Sequence, residues 1–259
     1  MIKTLTLLAR AGKATQNTLF PNLPGYSRGL PMVTQAPCVK SCGACAAVCP
    51  TEAVQIQVQA DREANVTIDR GLCIACGRCE SVCVSGVIVA DRRTDIATIS
   101  REHLIESRQA QIEPLHVLTS IEQDRPFKRS LHVRVVSTGD SASDLEIAAS
   151  DNPIFDAGRF GIQIVASPRF ADALVVTGPV AHGMREPLQR CYDAMPSPRL
   201  VIAVGAAAIS GGLYSGGYAS ASGVDSVLPV DAYVPGAPPH PWSILHGLML
   251  AMGHKAVKK

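Results

Sequence analysis

The stretch CIACGRCESVC, Cys73 to Cys83, decides how the first half of this chain folds. Its cysteines follow the spacing C-x2-C-x2-C-x3-C, a ligand run for [4Fe–4S] chemistry. An upstream stretch, CVKSCGACAAVCP (Cys38 to Pro50), repeats the run with one extra residue between its first two cysteines. Eight of the nine cysteines of the chain lie in these two runs, so their chemistry is shared. Thiolates are soft ligands suited to iron–sulfur clusters or zinc. A closely spaced triplet grips one face of a cubane from a single loop, and the fourth sulfur comes from the other run. The spacing therefore predicts one cluster on Cys38, Cys42, Cys45 and Cys83, and a second on Cys49, Cys73, Cys76 and Cys79. Pro50 and the small residues Gly43, Ala44, Ala75 and Gly77 permit the tight backbone path. Zinc sites usually pair their cysteines rather than use such triplets. Disulfides need an oxidising compartment, and the N-terminal MIKTLTLLARAGKAT has an apolar core of only about five residues, short for an export signal. Val84 stands where the first run has Pro50, a mild departure.

Outward from the cysteines the pattern is period-2. EAVQIQVQ and ANVTIDR, between the runs, read as a hairpin, and GVIVADRR repeats the device after the second run. This internal repeat predicts an α+β dicluster ferredoxin domain. REHLIESRQAQIEP reads as a helical exit and linker ending near Pro114, and QDRPFKRS as a polar loop.

A different pattern follows. LHVRVVS, GIQIVAS, ALVVTGP, LVIAVG and VLPVDAYVPG are strand candidates. Between them SDLEIAAS, HGMREPLQRCYDAM and PPHPWSILHGLMLAMGHK read as helices. The alternation predicts a flavodoxin-like α/β domain with a mostly parallel sheet. Loops after its strands gather at one sheet edge, where such folds bind ligands. One of them, GAAAISGG (Gly205 to Gly212), reads as a glycine-rich turn without a cysteine. Neither G-x-G-x-x-G nor a P-loop is present.

Composition removes other classes. The chain of 259 residues is 47% hydrophobic, enough for one or two packed domains. A net charge of +2 and 4% aromatic residues give no footprint or stacking platform for nucleic acid. No apolar run reaches the length of a membrane span, so the reading is a cytoplasmic protein. Residues 1–37 carry Lys3, Arg10, Lys13 and Arg28 and no acid. Ile2, Leu5 and Leu8, with Leu7 between them, outline an apolar helical stripe. Two readings stand: a surface helix packed on its own domain, or an arm docked on a partner subunit or membrane surface.

Residues from about 114 to 259 resemble the small, cluster-bearing subunit of membrane-bound energy-converting (group 4) [NiFe] hydrogenases, whose fold is also that of the complex I 20 kDa subunit. GDSASDLEI, NPIFDAGRFGIQIVASPRFADALVVTGPV, AVGAAAISGG and DAYVPGAPPHP carry the resemblance. Residues 1–112 resemble the dicluster ferredoxin subunit of the same complexes, with YSRGLP and the basic N-terminal helix in place. The chain looks like the two fused: a basic arm over 1–34, a dicluster ferredoxin domain over 35–112 and a small-subunit-like domain over 113–259.

The resemblance implies a third cluster in the second domain, but its four ligand positions here read Asp140, Ser143, Ala207 and Ala237. Two hard oxygens and two methyl groups do not replace four thiolates, so the expectation is two [4Fe–4S] clusters with the third site lost. It implies a redox subunit of an oxidoreductase complex with no catalytic residue of its own. Its partners would be a hydrogenase large-subunit-like or complex I 49 kDa-like protein and membrane subunits, with no nucleic acid. The place would be the inner face of the membrane, reached through those partners. Two alternatives stand beside this one: a mainly structural docking subunit, and a stand-alone redox protein using the emptied pocket. Of the remaining residues, Cys191 reads as a free buried cysteine in a helix. His240 and His246 read as surface histidines, and Asp140 with Ser143 as caps of the following helix. Asp144 and Glu146 are left between interface and ordinary early-helix acids.

Overall fold

The computed structural model describes residues 2–12, 18–39, 42–57, 64–108, 126–139 and 141–253. In chain order the elements are α1 (Ile2–Ala11), β1 (Leu30–Val33), α2 (Ala44–Ala47), β2 (Val54–Gln57), β3 (Asn65–Asp69), α3 (Arg78–Val82), β4 (Ile88–Asp91) and β5 (Ile105–Ser107). The second half adds β6 (Leu131–Ser137), α4 (Ser143–Ser150), β7 (Ile162–Ile164), β8 (Ala173–Thr177), α5 (His182–Asp193), β9 (Leu200–Val204), α6 (Ala206–Ser210), β10 (Ala232–Val234) and α7 (Pro241–Ala251). Among the described residues no helix is long and apolar enough to cross a membrane.

The N-terminal half is a ferredoxin-like α+β unit. The expected hairpin forms: β2 pairs antiparallel with β3, Val54 opposite Ile68. Alternation of apolar residues in β3 buries Val66 and Ile68 and leaves Asn65, Thr67 and Asp69 half-buried. GVIVADRR supplies β4, whose partner is β1, just upstream of the first cysteine run. One expectation is corrected. REHLIES is not a helical exit: a 3-10 turn over Glu102–Leu104 leads into β5, which pairs with β3. Glu106, on β5, is buried there and its carboxylate meets the Arg70 guanidinium at 2.5 Å, while Val33 N–H donates to its other oxygen. A strand next to β3 satisfies that side chain, which a helix leaving the surface would not. Residues 109–125, which hold the rest of the expected linker up to Pro114 and the start of the expected polar loop, lie outside the described residues. So do the side chains of Ile2, Leu5 and Leu8; Leu7 is 67% exposed.

The C-terminal half has one five-stranded sheet, ordered β10-β9-β8-β6-β7, and all four pairings are parallel. Counted within that half the order is 5-4-3-1-2, the flavodoxin-like arrangement, with its switch point between β6 and β8. The central strands ALVVT and LVIAV are buried at every position, as strands covered on both faces must be. Successive side chains alternate faces. Val175, Ile202 and Val204 join α4 and α7 in one apolar cluster, and Val176, Val201 and Ala203 join α5 and α6 in the other. VLPVDAYVPG contributes only Ala232–Val234 as strand. GAAAISGG is not a turn: Ala206–Ser210 is a short helix between Gly205 and Gly211, both at positive φ. Alanine is the best helix former, and the two glycines supply the backbone angles that start and stop it.

Candidate metal centre

Both cysteine runs take the same local form. An extended loop leads through a glycine into a short helix that carries the third cysteine. In the first run Cys42 and Gly43 precede α2, which holds Cys45, and Cys49 follows the C-cap residue Val48. In the second, Gly77 at φ +75° is the N-cap of α3, which holds Cys79, and Cys83 is its C-cap. Ala75, at φ 52°, bends the loop between Cys73 and Cys76. Cys45, Cys73 and Cys79 are buried and the other five half-buried.

The thiols act on one another in two sets. Cys38 feels Cys42 and Cys83, and Cys45 feels Cys83 and Cys38. Cys73 feels Cys79, Cys49 and Cys76, and Cys79 feels Cys49 and Cys76. Each set joins three cysteines of one run to the last cysteine of the other. Cys49, Cys73, Cys76 and Cys79 also line one cavity, walled by Pro31, Pro50 and Ile74. Burial, then mutual repulsion, pushes the Cys73 thiol up to about 12 and Cys79 to about 11, and raises Cys38 and Cys45. Cys83 moves the other way. Burial opposes its charge, but the N–H of Ile88 and the Ser85 hydroxyl hold it below the ordinary thiol range.

These residues fit iron–sulfur clusters. Soft donors come in fours, and burial makes bare thiolates costly, so a multivalent cationic core relieves both desolvation and repulsion. Backbone N–H groups already reach sulfur, Ala75 to Cys73 Sγ and Ile88 to Cys83 Sγ, each at 3.4 Å. Thr51 and Ser85 hydroxyls lie 3.8 and 3.7 Å from Cys49 and Cys83. Among the described residues no three His, Cys, Asp or Glu side chains converge tightly enough for a single ion.

The sheet edge at the end of β6, β8, β9 and β10 gathers the other sequence-marked positions. Asp140 lies outside the described residues. Ser143 is buried at the start of α4, Ala207 half-buried in α6, and Ala237 exposed in the loop after β10. Their loops meet: a Cβ placed on Gly205 would stand 2.5 Å from Ser143 Oγ and 3.5 Å from the Gly236 carbonyl. Ala206 N–H donates to that carbonyl at 2.8 Å. A Cβ on Gly212 would meet the Ala207 backbone at 3.3 Å. Asp144 ties the switch point, accepting from the hydroxyls of Ser137 and Thr177. Gly139 and Gly178 let the loops after β6 and β8 approach closely, since a Cβ on Gly178 would lie 2.7 Å from Gly139 N. Burial raises the Glu146 carboxyl.

Four readings change. Ser143, expected as a cap, is the first residue of α4: the N-cap residue is Ala142, and Ser141 Oγ accepts from Ser143 N–H. His246 is no surface histidine: it is 3% exposed, because α7 is covered on all sides. His240 is half-buried and caps α7, accepting from Trp242 N–H. Cys191 is free and half-buried in α5, where burial raises its thiol. The sequence reading also passed over Ser210, whose hydroxyl donates to the Gly71 carbonyl at 2.9 Å and so joins α6 to the loop before Cys73. A serine beside two glycines gives no sign of such a partner.

Residues 37–87 match the 4Fe-4S dicluster domain, and residues 141–251 match the 20 kDa subunit of NADH ubiquinone oxidoreductase. Formate hydrogenlyase subunit 7 of Escherichia coli (strain K12) is 43% identical over 130 residues, 50% of this chain and 51% of that protein, so the chain spans about half its length. An uncharacterized protein of Methanocaldococcus jannaschii is 44% identical over 51% of this chain and 93% of its own. A probable membrane-bound hydrogenase subunit of Pyrococcus furiosus is 42% identical over 48% of this chain and 75% of its own. A chain of the archaeal membrane-bound sulfane sulfur reductase is 30% identical and overlays 49% of this chain and 70% of its own, with a TM-score of 0.45. With 93% of one relative and 75% of another covered at over 40% identity, the chain belongs to the family of the complex I 20 kDa subunit and its hydrogenase counterparts, and a 4Fe-4S dicluster domain precedes the family domain.

Proposed function

We propose that this chain is an electron-transfer subunit holding two [4Fe–4S] clusters, one on Cys38, Cys42, Cys45 and Cys83 and one on Cys49, Cys73, Cys76 and Cys79. The observation that carries this is that Cys49 of the first run lines one cavity with Cys73, Cys76 and Cys79 of the second, while Cys83 lies near enough to Cys38 and Cys45 to act on both. Bound there, each cluster supplies reversible one-electron chemistry at a potential set by hydrogen bonds to sulfur and by solvent exposure. The chain's own part is to hold and tune. Ala75 and Ile88 N–H groups stabilise charge on Cys73 and Cys83, and Pro31, Pro50 and Ile74 wall the cavity of the second set.

The C-terminal edge does not fit a third cluster. Ser143, Ala207 and Ala237 sit together without a sulfur, and nothing in their chemistry replaces thiolate. That half serves docking, which its tightly kept loop contacts favour. The partners we propose are a hydrogenase large-subunit-like or complex I 49 kDa-like protein and membrane subunits, with the chain peripheral on the inner membrane face. A flavin-binding, stand-alone reading has no phosphate-binding motif behind it, since neither G-x-G-x-x-G nor a P-loop is present.

Iron and acid-labile sulfide analysis tests the proposal, with about eight of each expected per chain. Four irons would refute two clusters, and twelve would refute the loss of the third. Paired variants test the sorting. Cys45→Ala with Cys83→Ala should remove one cluster, while Cys45→Ala with Cys49→Ala should remove both.

A further inference from the structure

The two cysteine runs end in the same turn, built from different residues. Glu52 N–H donates to the Cys49 carbonyl at 3.5 Å, and Gly86 N–H to the Cys83 carbonyl at 3.3 Å. Glu52 and Gly86 both stand at positive φ, 54° and 66°. The turn after Cys49 reads Pro-Thr-Glu, and the turn after Cys83 reads Val-Ser-Gly. The last cysteine of each run serves the other run's quartet. The turn after Cys83 therefore acts on the first cluster, and the turn after Cys49 on the second.

Donors converge on Cys83. Ile88 N–H reaches its Sγ at 3.4 Å, and the Ser85 hydroxyl lies 3.7 Å away. The N–H groups of Val87 and Ser85 also bear on that sulfur. Cys38, Cys42 and Cys83 are only half-buried, and Val84 is 90% exposed beside them, so water shares the charge of this quartet. The second quartet is more closed. Cys73 and Cys79 are buried, and Pro50, which has no N–H to give, walls their cavity. Glu52 adds an acid where the other turn has Gly86. The nearby cations are matched, one to a quartet: Arg108 acts on Cys38, and Arg28 Nη1 donates to the Cys76 carbonyl at 3.3 Å. An added electron is added negative charge. Donors to sulfur and access to water stabilise it, whereas a closed apolar wall and a neighbouring carboxylate do not.

We propose that the turn after Cys83 makes the first quartet the easier to reduce, so that a single electron rests on Cys38, Cys42, Cys45 and Cys83 rather than on the second quartet. The proposal rests on the two-cluster reading above. The second quartet is the one tied to the C-terminal half, since Ser210 holds Gly71, two residues before Cys73. An electron then moves uphill in energy to approach the edge where Ser143, Ala207 and Ala237 offer no sulfur. The chain stores the electron on its far side and does not run it downhill to that edge.

The test is a potentiometric titration of the reconstituted full chain with titanium(III) citrate, followed by electron paramagnetic resonance. Two one-electron waves should appear, separated by ~10-fold or more in the reduction equilibrium, which is ~59 mV. Coincident waves overturn the proposal. Cys79→Ala, which keeps the first quartet, should retain the upper wave, and Cys45→Ala the lower; the reverse overturns it. Where those variants fail to fold, Ser85→Ala decides in the intact pair. It should lower the upper wave by about 5-fold and leave the lower one in place. An upper wave that stays put, or a lower wave that moves instead, overturns the proposal. Glu52→Gly should raise the lower wave alone; a raised upper wave counts against the assignment. Iron separates the two ways of failing. About eight irons per chain with coincident or reversed waves refutes this inference alone, and four irons refutes the two-cluster reading together with it.

Discussion

Gly77 and Gly205 start the same construction in the two halves of this molecule. Each is a glycine N-cap at positive φ, +75° and +90°, and each opens a five-residue helix. The second residue of the first helix is Cys79, and the second residue of the other is Ala207. Around Cys79 three more sulfurs gather. Around Ala207 the neighbouring loops bring Ser143 and the carbonyl of Gly236, and no thiol among the described residues. The two turns are not identical, for ψ is 1° at Gly77 and 154° at Gly205; what they share is the glycine and the five-residue helix after it. At the second position of that helix one half carries a thiol and the other a methyl group.

The largest effects should come from exchanging those side chains. Cys79→Ala should lower iron by about four per chain and leave the other cluster's spectrum in place. The reverse transplant is Asp140→Cys, Ser143→Cys, Ala207→Cys and Ala237→Cys together. If the edge keeps the scaffold and lacks only the donors, the fourfold variant should gain about four irons on reconstitution, whereas Ala207→Cys alone should gain none. Iron analysis and electron paramagnetic resonance of the reduced protein read both. A fourfold variant with unchanged iron would break the comparison, for the difference in ψ at the two glycines would then matter as much as the missing donors.

The next effect concerns charge, which the two halves also treat differently. Among the described residues the parallel-sheet half fully buries no Asp, Glu, Lys or Arg, while the ferredoxin-like half buries Arg70 between Asp91 at 2.9 Å and Glu106 at 2.5 Å. Arg93 adds a further contact to Asp91 at 2.7 Å. Burial alone would raise the Asp91 carboxyl, but Arg93 and Arg70 hold it below the usual range; on Glu106 burial prevails and raises it. Truncating one partner of such a group strands a buried charge. Glu106→Ala should cost about 3–5 kcal/mol in denaturant unfolding of the N-terminal half, and Glu106→Gln less, since an amide still accepts from Val33 N–H. A loss under about 1 kcal/mol would mean that water already compensates Arg70.

The dicluster character of the two cysteine runs, the alternation of strands and helices in the second half, and α4 to the residue were legible in the sequence, because spacing and periodicity are local signals. β5 was not, since its three residues form a strand only because β3 offers an edge and Arg70 a counter-charge. His246 was misread for the same kind of reason. A histidine in WSILHGLML looks like a polar break on a helix, and only the packing of Phe20 and Ala97, more than two hundred and about one hundred and fifty residues away, turns it inward. α6 was hidden because glycines flanking alanines are also how a turn is written.

His246 gives the next prediction, on pH. Burial lowers its pKa from the usual 6.5 to about 4. The unfolded chain therefore binds a proton that the folded chain refuses between those values, and folding stability falls as pH drops from about 6.5 to 4. The full difference is about 3 kcal/mol, and none of it is present above about pH 7. His246→Phe should flatten that part of the stability–pH curve. An equally steep curve in the variant would assign the loss to other groups.

The smallest predicted effect separates the two kinds of glycine in the cysteine loops. A Cβ on Gly71 would stand 2.9 Å from Arg101 Cζ and 2.9 Å from Ile209 Cγ2. Neither neighbour yields freely. Arg101 is held by both oxygens of Asp69, at 2.9 and 2.7 Å, and Ile209 is buried in the sheet core. Gly71→Ala should therefore cost about 1–3 kcal/mol through overpacking. Gly43, beside Cys42 in the first run, meets nothing within 4 Å and has φ −120°, a backbone angle open to any residue. Gly43→Ala should change stability by less than about 0.5 kcal/mol. Both variants should keep their iron, because each leaves all eight thiols in place. If the two cost the same, the loop before Cys73 is not pressed against α6, and the contact between Ser210 and Gly71 does not lock the cluster loops to the C-terminal half.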